Sequence, residues 1–215
     1  MVKVNKKYKD RLFRMVFNRK EELISLYNAV SHSEYTDPEE LEIYTLEDVI
    51  YMKMKNDLAF LIDDVLNLWE HQSTWNPNMP VRGTLYIVEE YRKYIEQNGL
   101  NLYGSRLITL PIPQFYVFYN GLKEEPDYIE LKLSDAFSRV HSELEPCMEF
   151  KAIMMNINRG HNEGLMKQCS TLREYAEFVA RIRERTKDRT ALGTAVEDVM
   201  DSCIRDGVLD RKSVV

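Results

Sequence analysis

Residues 57–73 decide the fold, with the sequence DLAFLIDDVLNLWEHQS. Two apolar runs flank an Asp-Asp pair, which predicts two antiparallel strands joined by a tight turn. A turn centred on that pair places Asp57 directly opposite Glu70, and opposed residues of an antiparallel pair point to the same face. Gln72 lies two positions beyond Glu70 and therefore shares this face.

Both faces of the predicted hairpin are otherwise apolar, which indicates interior strands of an α/β layer arrangement. Two carboxylates that face each other on such strands repel, and a divalent cation between them would relieve the repulsion. Asp57 and Glu70, with the backbone carbonyl of His71, are oxygen ligands suited to Mg²⁺ or Mn²⁺. The alternative is that Asp57 and Glu70 are simply two carboxylates at the wet ends of strands. The His71 side chain should point to the other face.

Composition is that of a globular protein, with 44% apolar and 30% charged residues among 215. No apolar run reaches the roughly 18–20 residues of a membrane span. The three cysteines are widely spaced, which predicts reduced thiols and a cytoplasmic location.

Charge is unevenly distributed along the chain. The net charge is −6, yet residues 1–20 hold eight basic side chains against one acidic side chain. This asymmetry indicates either a contact patch for a polyanion or a solvated helix face.

Periodicity and turn signals predict the remaining elements. Helices are predicted over 8–30, 80–97, 171–186 and 190–205, and strands over 41–46, 114–119, 129–133 and 149–157. The helix over 80–97 has an apolar stripe, and a second stripe that contains Arg82 and Tyr86. Its apolar stripe consists of Val81, Leu85, Val88, Tyr91 or Arg92, and Ile95. Because this helix begins soon after Gln72, Arg82 and Tyr86 are expected near the carboxylates.

Several motifs occur in a fixed order along the chain. They are YKDRLFR (8–14), NDL (56–58), EHQS (70–73), NPNMPVR (76–82) followed by Tyr86, and PQFYVFYNG (113–121). In this order they resemble the recombination-promoting nuclease (Rpn) family, a transposase-related branch of the PD-(D/E)XK nuclease superfamily. The tail over 151–209 is similar to the helical ends of some members.

The resemblance implies a restriction-endonuclease-like α-β-β-β-α-β core and Mg²⁺-dependent hydrolysis of DNA phosphodiesters. Asp57 and Glu70 would be metal-binding and catalytic, and Gln72 takes the place of the usual lysine of the E-x-K motif. Since glutamine is neutral, it can orient water but not supply positive charge. Glu21 or Glu22 is expected to complete the metal shell.

We therefore predict a cytoplasmic DNA endonuclease with a nuclease-like domain over 1–160 and a helical extension over 161–215. Phosphate contacts are assigned to Lys9, Arg11, Arg14 and Arg82. The main alternative is a catalytically degenerate nuclease fold that binds DNA or protein. A third interpretation is a helical interaction protein in which the C-terminal helices form a homo-oligomer interface.

Overall fold

The computed structural model describes residues 8–43, 58–141, 143–187 and 192–207. Within them the chain forms six helices: α1 (Tyr8–Phe17), α2 (Lys20–Ser31), α3 (Met79–Gln97), α4 (Glu163–Gln168), α5 (Ser170–Lys187) and α6 (Leu192–Arg205). One mixed sheet contains β1 (Glu42–Ile43), β2 (Leu58–Ile62), β3 (Val65–Gln72), β4 (Ile112–Tyr119), β5 (Tyr128–Lys132) and β6 (Lys151–Asn156). The predicted α/β class is confirmed.

The hairpin β2–β3 has the predicted register, with Ile62 opposite Val65 and Leu58 opposite Trp69. Asp63 in the turn adopts a left-handed conformation with φ 49°, which aspartate tolerates better than most residues because its short side chain bonds locally. Most residues of both strands are buried, in agreement with the apolar character of both faces. The hairpin is therefore an interior element of the sheet.

The strand order is β1-β2-β3-β4-β6-β5. The backbone N–H of Ile112 donates to the carbonyl of Asp64 at 2.6 Å, so β3 and β4 begin side by side. Likewise Ile157 N–H donates to the carbonyl of Tyr119 at 2.8 Å, where β6 and β4 end. These three strands therefore run parallel, which is possible because the connections between them are long, whereas β5 is antiparallel to β6.

Helix α3 packs on the sheet through a different face from the predicted apolar stripe, and that prediction is wrong. Leu85 and Val88 are exposed by 41% and 54%, while Gly83, Tyr86 and Ile87 are buried. The reason is a close approach at Gly83. A Cβ atom there would lie 2.5–2.6 Å from the rings of Phe115 and Phe150, so only glycine lets the helix come this near.

The predicted continuous helix over 8–30 is also wrong, since α1 and α2 are separated at residues 18 and 19. Arg19 is extended, with φ −85° and ψ 129°. Asparagine at position 18 favours turns over helix interiors. The break gives each helix its own buried face, with Phe13 and Phe17 fully buried in α1 and Leu23 fully buried in α2.

The chain divides into two compact units, residues 40–118 with 128–155, and residues 1–39 with 119–127 and 156–215. The first contains most of the sheet together with α3. In the second, the helices at the start of the chain pack with those at its end. The ring of Phe13, for example, meets Tyr175 of α5 edge-on at 5.6 Å. The predicted division at residue 160 stays a prediction.

The predicted apolar stripe of α5 is confirmed. Leu172, Tyr175, Phe178, Val179 and Ile182 are all at most 2% exposed. This stripe is therefore already covered within the chain.

Gly83→Ala is expected to destabilise the fold by about 1–3 kcal/mol, because overpacking against two rings outweighs the better helix propensity of alanine. Gly164 in α4 is the matched control, since a Cβ there meets nothing within 4 Å. Gly164→Ala should be neutral or stabilising. Chemical denaturation of both variants measures the difference, and equal stability of the two would contradict the close approach.

Glu90 on α3 is 0% exposed. Among the described residues, neither of its carboxylate oxygens accepts a hydrogen bond, and Lys93 Nζ is 3.9 Å away. Burial raises the pKa of Glu90 from its ordinary value of 4.5 to about 7. Because the folded protein holds this proton more tightly than the unfolded chain does, the contribution of Glu90 to stability is present below about pH 4.5. It is lost as the pH rises through 7.

Glu90→Gln should therefore gain about 3 kcal/mol of stability relative to the native protein between pH 4.5 and pH 8. Denaturation at several pH values measures this, with the partly exposed neighbour Glu89→Gln as control. Parallel pH profiles of native protein and Glu90→Gln would show that the carboxyl group titrates normally.

Candidate functional site

Glu70 occupies the end of β3, and its side chain is only 3% exposed. A carboxylate in this position is costly unless it is paired and hydrogen-bonded. The hairpin register places it on the face predicted to carry the site, where α3 begins after a short connection. Helix α3 supplies the compensating charge.

Arg82, in the first turn of α3, forms an ion pair with Glu70. Its Nη2 atom lies 3.2 Å from both Oε1 and Oε2 of the carboxylate. The guanidinium side chain is 30% exposed whereas Glu70 is almost completely covered. The partly exposed guanidinium of Arg82 thus covers one side of the buried Glu70 carboxylate.

Tyr86 lies one turn further along α3 and completes the cluster. Its hydroxyl accepts a hydrogen bond of 2.8 Å from Arg82 Nη2, and its ring centroid is 5.6 Å from Arg82 Cζ. Burial and then the negative charge of Glu70 raise the pKa of Tyr86 to about 12. The hydroxyl therefore keeps its proton at any physiological pH.

Gln72 donates from Nε2 to Glu70 Oε2 at 3.2 Å. Among the described residues its Oε1 atom has no hydrogen-bond partner, and it can accept a bond from water or bind a cation. The side chain is partly exposed. The amide therefore links the buried carboxylate to the open side of the cluster.

The structure gives less information on Asp57 and His71, the other residues predicted for the metal site. Asp57 lies outside the described residues, so its position opposite Glu70 remains a prediction. His71 is 3% exposed, and the alternation of β3 puts its side chain on the opposite face from Glu70. The proposed role of its backbone carbonyl is untested.

The basic residues assigned to phosphate contacts fall in two places. Lys9, Arg11 and Arg14 belong to α1, and the side chain of Arg11 is not among those described. Arg14 is exposed and makes no ion pair with any described side chain. Arg82 lies instead in the Glu70 cluster, where it faces a carboxylate.

Of the two acids proposed to complete a metal shell, Glu22 accepts a hydrogen bond from Thr171 Oγ1 at 2.5 Å. Glu21 is exposed. Each of these observations concerns the helical unit alone, so the choice between them stays open.

No group of three or more His, Cys, Asp or Glu side chains in the described ranges could hold a metal ion. His161 pairs with Asp127, with 2.6 Å between Nδ1 and Oδ1. Together with a hydrogen bond from the backbone of Asn162, this contact lowers the pKa of the Asp127 carboxyl. The pair orders the loop before α4.

Comparison of the chain with protein-family models, curated proteins and solved structures gave no match. Each helix in the described part of the chain is too short or too polar to cross a lipid bilayer. Assignment of the site therefore depends on its own geometry.

The sequence predicted that Arg82 and Tyr86 would lie near the carboxylates, and this is confirmed for Glu70. What it missed is that the two side chains form one hydrogen-bonded unit with Glu70. The available signal was their spacing of four residues on a helix, which places both on one face. Sequence reasoning assigned the positive charge of Arg82 to DNA alone.

Arg82→Met should lower stability by about 2–3 kcal/mol, because it leaves the buried Glu70 carboxylate without its cation. Arg92→Met on the exposed side of α3 is the control, with an expected cost under about 0.5 kcal/mol. The double variant Glu70→Gln/Arg82→Met should recover part of the loss. Thermal denaturation measures all three, and equal melting of the two single variants would exclude a stabilising pair.

Proposed function

We propose that this protein is a metal-dependent DNA endonuclease with a PD-(D/E)XK-type core, related to the Rpn family. The observation that carries the proposal is the buried carboxylate of Glu70 at the end of an interior hairpin, with Gln72 beside it and Arg82 over it. An acid placed there by structural need alone would be unusual, since burial of a charge costs several kcal/mol.

The donor atoms fit a hard divalent cation. The Glu70 carboxylate, the His71 carbonyl and Gln72 Oε1 are all oxygen donors of the kind that Mg²⁺ and Mn²⁺ prefer, and Asp57 is the predicted partner of Glu70. Such an ion would polarise the phosphodiester and lower the pKa of a bound water.

The protein side chains supply the remaining chemistry. Gln72 Oε1 is an acceptor that can orient a water molecule. Arg82 brings positive charge to within 3.2 Å of the carboxylate, and so provides the charge that a lysine at position 72 would supply. Tyr86 holds Arg82 in place through its hydroxyl. Pre-positioned charge of this kind stabilises the negative charge that develops on a phosphate in the transition state.

The basic side of α1 supports DNA as the substrate. Arg14 presents an exposed guanidinium, and cations of this kind bind the phosphate backbone through release of counterions. The excess of basic residues within positions 1–20 also supports DNA binding, since the net charge of the whole chain is negative.

One observation favours the second candidate, a degenerate nuclease fold that binds DNA or protein. The Glu70 carboxylate is already charge-compensated by Arg82 within the chain. Melting curves with millimolar Mg²⁺ or Mn²⁺ separate the two functions. No shift in the native protein or in Glu70→Ala would favour the binding module.

The purified protein should nick or linearise plasmid DNA in the presence of Mg²⁺ or Mn²⁺. Asp57→Ala and Glu70→Gln should each lower the rate at least about 100-fold, since a loss of 2.7 kcal/mol in transition-state stabilisation corresponds to that factor. Glu89→Gln on the same helix as Arg82 is the matched control. Cleavage by Asp57→Ala or Glu70→Gln at the native rate would exclude the assignment.

A further inference from the structure

We propose that a cavity of the helical unit binds a small ligand that carries a phosphate group, such as a mononucleotide. The cavity lies between α4, α5 and the loop that follows β6. Arg173 and His161 are the two side chains assigned to contact the phosphate. None of the residues that line the cavity belongs to the Glu70 cluster, and the proposal does not rest on the nuclease function.

The cavity has the size and the position of a small-molecule site. Its volume is about 470 Å³, within the range usual for such sites. Met166 and Ala176 give it an apolar part, since they are only 8% and 3% exposed. The loop that carries His161 begins where β6 ends, at Asn156, and ligands of open α/β sheets bind beyond the carboxyl ends of the strands.

The three carboxylates that line the cavity are already engaged. Glu163 pairs with Lys167 at 3.7 Å, and Glu177 pairs with Arg159 at 3.4 Å. The third, Glu174, has an interaction of its own. Most of the charge on the cavity wall is therefore compensated within the chain.

Arg173, in the first turn of α5, differs from the other cations of the wall. Its side chain is exposed, and its backbone N–H donates to the carbonyl of Cys169 at 3.2 Å. Among the described residues, no side chain forms an ion pair or a hydrogen bond with its guanidinium. A guanidinium with its donors available matches two oxygens of a phosphate. We therefore place the phosphate at Arg173.

The loop that presents His161 is ordered by hydrogen bonds. His161 Nδ1 lies 2.6 Å from Asp127 Oδ1. The next residue, Asn162, donates from Nδ2 to the carbonyls of Asp127 at 2.6 Å and of Asn156 at 2.9 Å. The imidazole ring is thus oriented before a ligand arrives, which lowers the entropy cost of binding.

The contact with Asp127 also determines what His161 offers to a ligand. In its protonated form the ring donates from both nitrogens. Because Nδ1 is directed at Asp127, Nε2 is the nitrogen left for a phosphate oxygen. Together with Arg173 this gives two positive charges, which favour a doubly charged phosphate over a singly charged carboxylate.

The test is a titration of the full chain with adenosine monophosphate, followed by the proton NMR signals of the histidine rings. The variant His161→Asn identifies the His161 signal among those of the four histidines. The nucleotide should shift this signal in the native protein. Arg173→Met should weaken binding at least about tenfold, because a charge-assisted hydrogen bond is lost. Arg173→Lys, which keeps the charge, should lose less.

Three controls accompany this titration. Arg106→Met removes an exposed arginine of the other unit and should bind the nucleotide as the native protein does. Adenosine, which lacks the phosphate, should bind at least about tenfold more weakly than the nucleotide. Acetate should bind more weakly than inorganic phosphate, since it carries less charge.

Equal nucleotide affinity of Arg173→Met and Arg106→Met would overturn the site, as would binding that leaves the His161 signal unchanged or no binding at millimolar nucleotide. Adenosine as tight as the nucleotide, or acetate as tight as phosphate, would overturn the preference for a phosphate group. If Arg173→Met unfolds, Arg173→Lys decides, and native affinity of that variant counts against the two-nitrogen contact. The experiment contains neither DNA nor a divalent cation, so each outcome leaves the nuclease proposal untouched.

Discussion

The pairing of Glu70 with Arg82 connects the end of β3 to the first turn of α3 at one end of the sheet. A carboxylate in an interior strand is tolerated only if a cation reaches it, and Arg82 reaches it from the first turn of α3. The connection between β3 and α3 is short, so the pair also fixes where α3 begins relative to the sheet. Gln72 donates a further hydrogen bond to Glu70, and Tyr86 accepts one from Arg82.

Two buried glutamates near α3 show how differently the same group can be accommodated. Glu70 has a guanidinium, an amide and a phenol around it, and these groups can support its charged form. Among the described side chains, Glu90 has the ammonium group of Lys93 at 3.9 Å as its ion-pair partner, and burial raises the pKa of Glu90. Glu70 is thus paired with a cationic side chain, whereas Glu90 keeps its proton to a higher pH than an ordinary glutamate does.

Much of the fold was predictable because the signals were local. Alternation around an Asp-Asp turn determined the β2–β3 register, and apolar spacing located α5 and its buried face. The buried face of α3 was not predictable in this way, since it depends on contacts between Gly83 and rings that are distant in sequence. The break between α1 and α2 is likewise not visible in the apolar periodicity of 8–30, although the turn preference of Asn18 marks its position.

At the site, the sequence predicted that Arg82 and Tyr86 lie near Glu70, but not which of their atoms form hydrogen bonds. The partner of Arg82 could not be read from spacing, because a phosphate and a carboxylate attract a guanidinium equally well. The positions of Arg82 and Glu70 in the sequence also do not indicate that Nη2 of Arg82 contacts both carboxylate oxygens of Glu70. Such details arise from the depth of Glu70 and the height of α3 above the sheet.

That height has a consequence for how the sequence can change over time. Gly83, Phe115 and Phe150 share one small volume, and Gly83 directly follows the arginine that meets Glu70. A larger residue at 83 would lift the helix and draw the guanidinium away from the carboxylate, unless one of the two rings became smaller in the same lineage. Substitutions at these three positions are therefore expected to be coupled in their effects on stability, because the geometry of the charged cluster depends on this apolar contact.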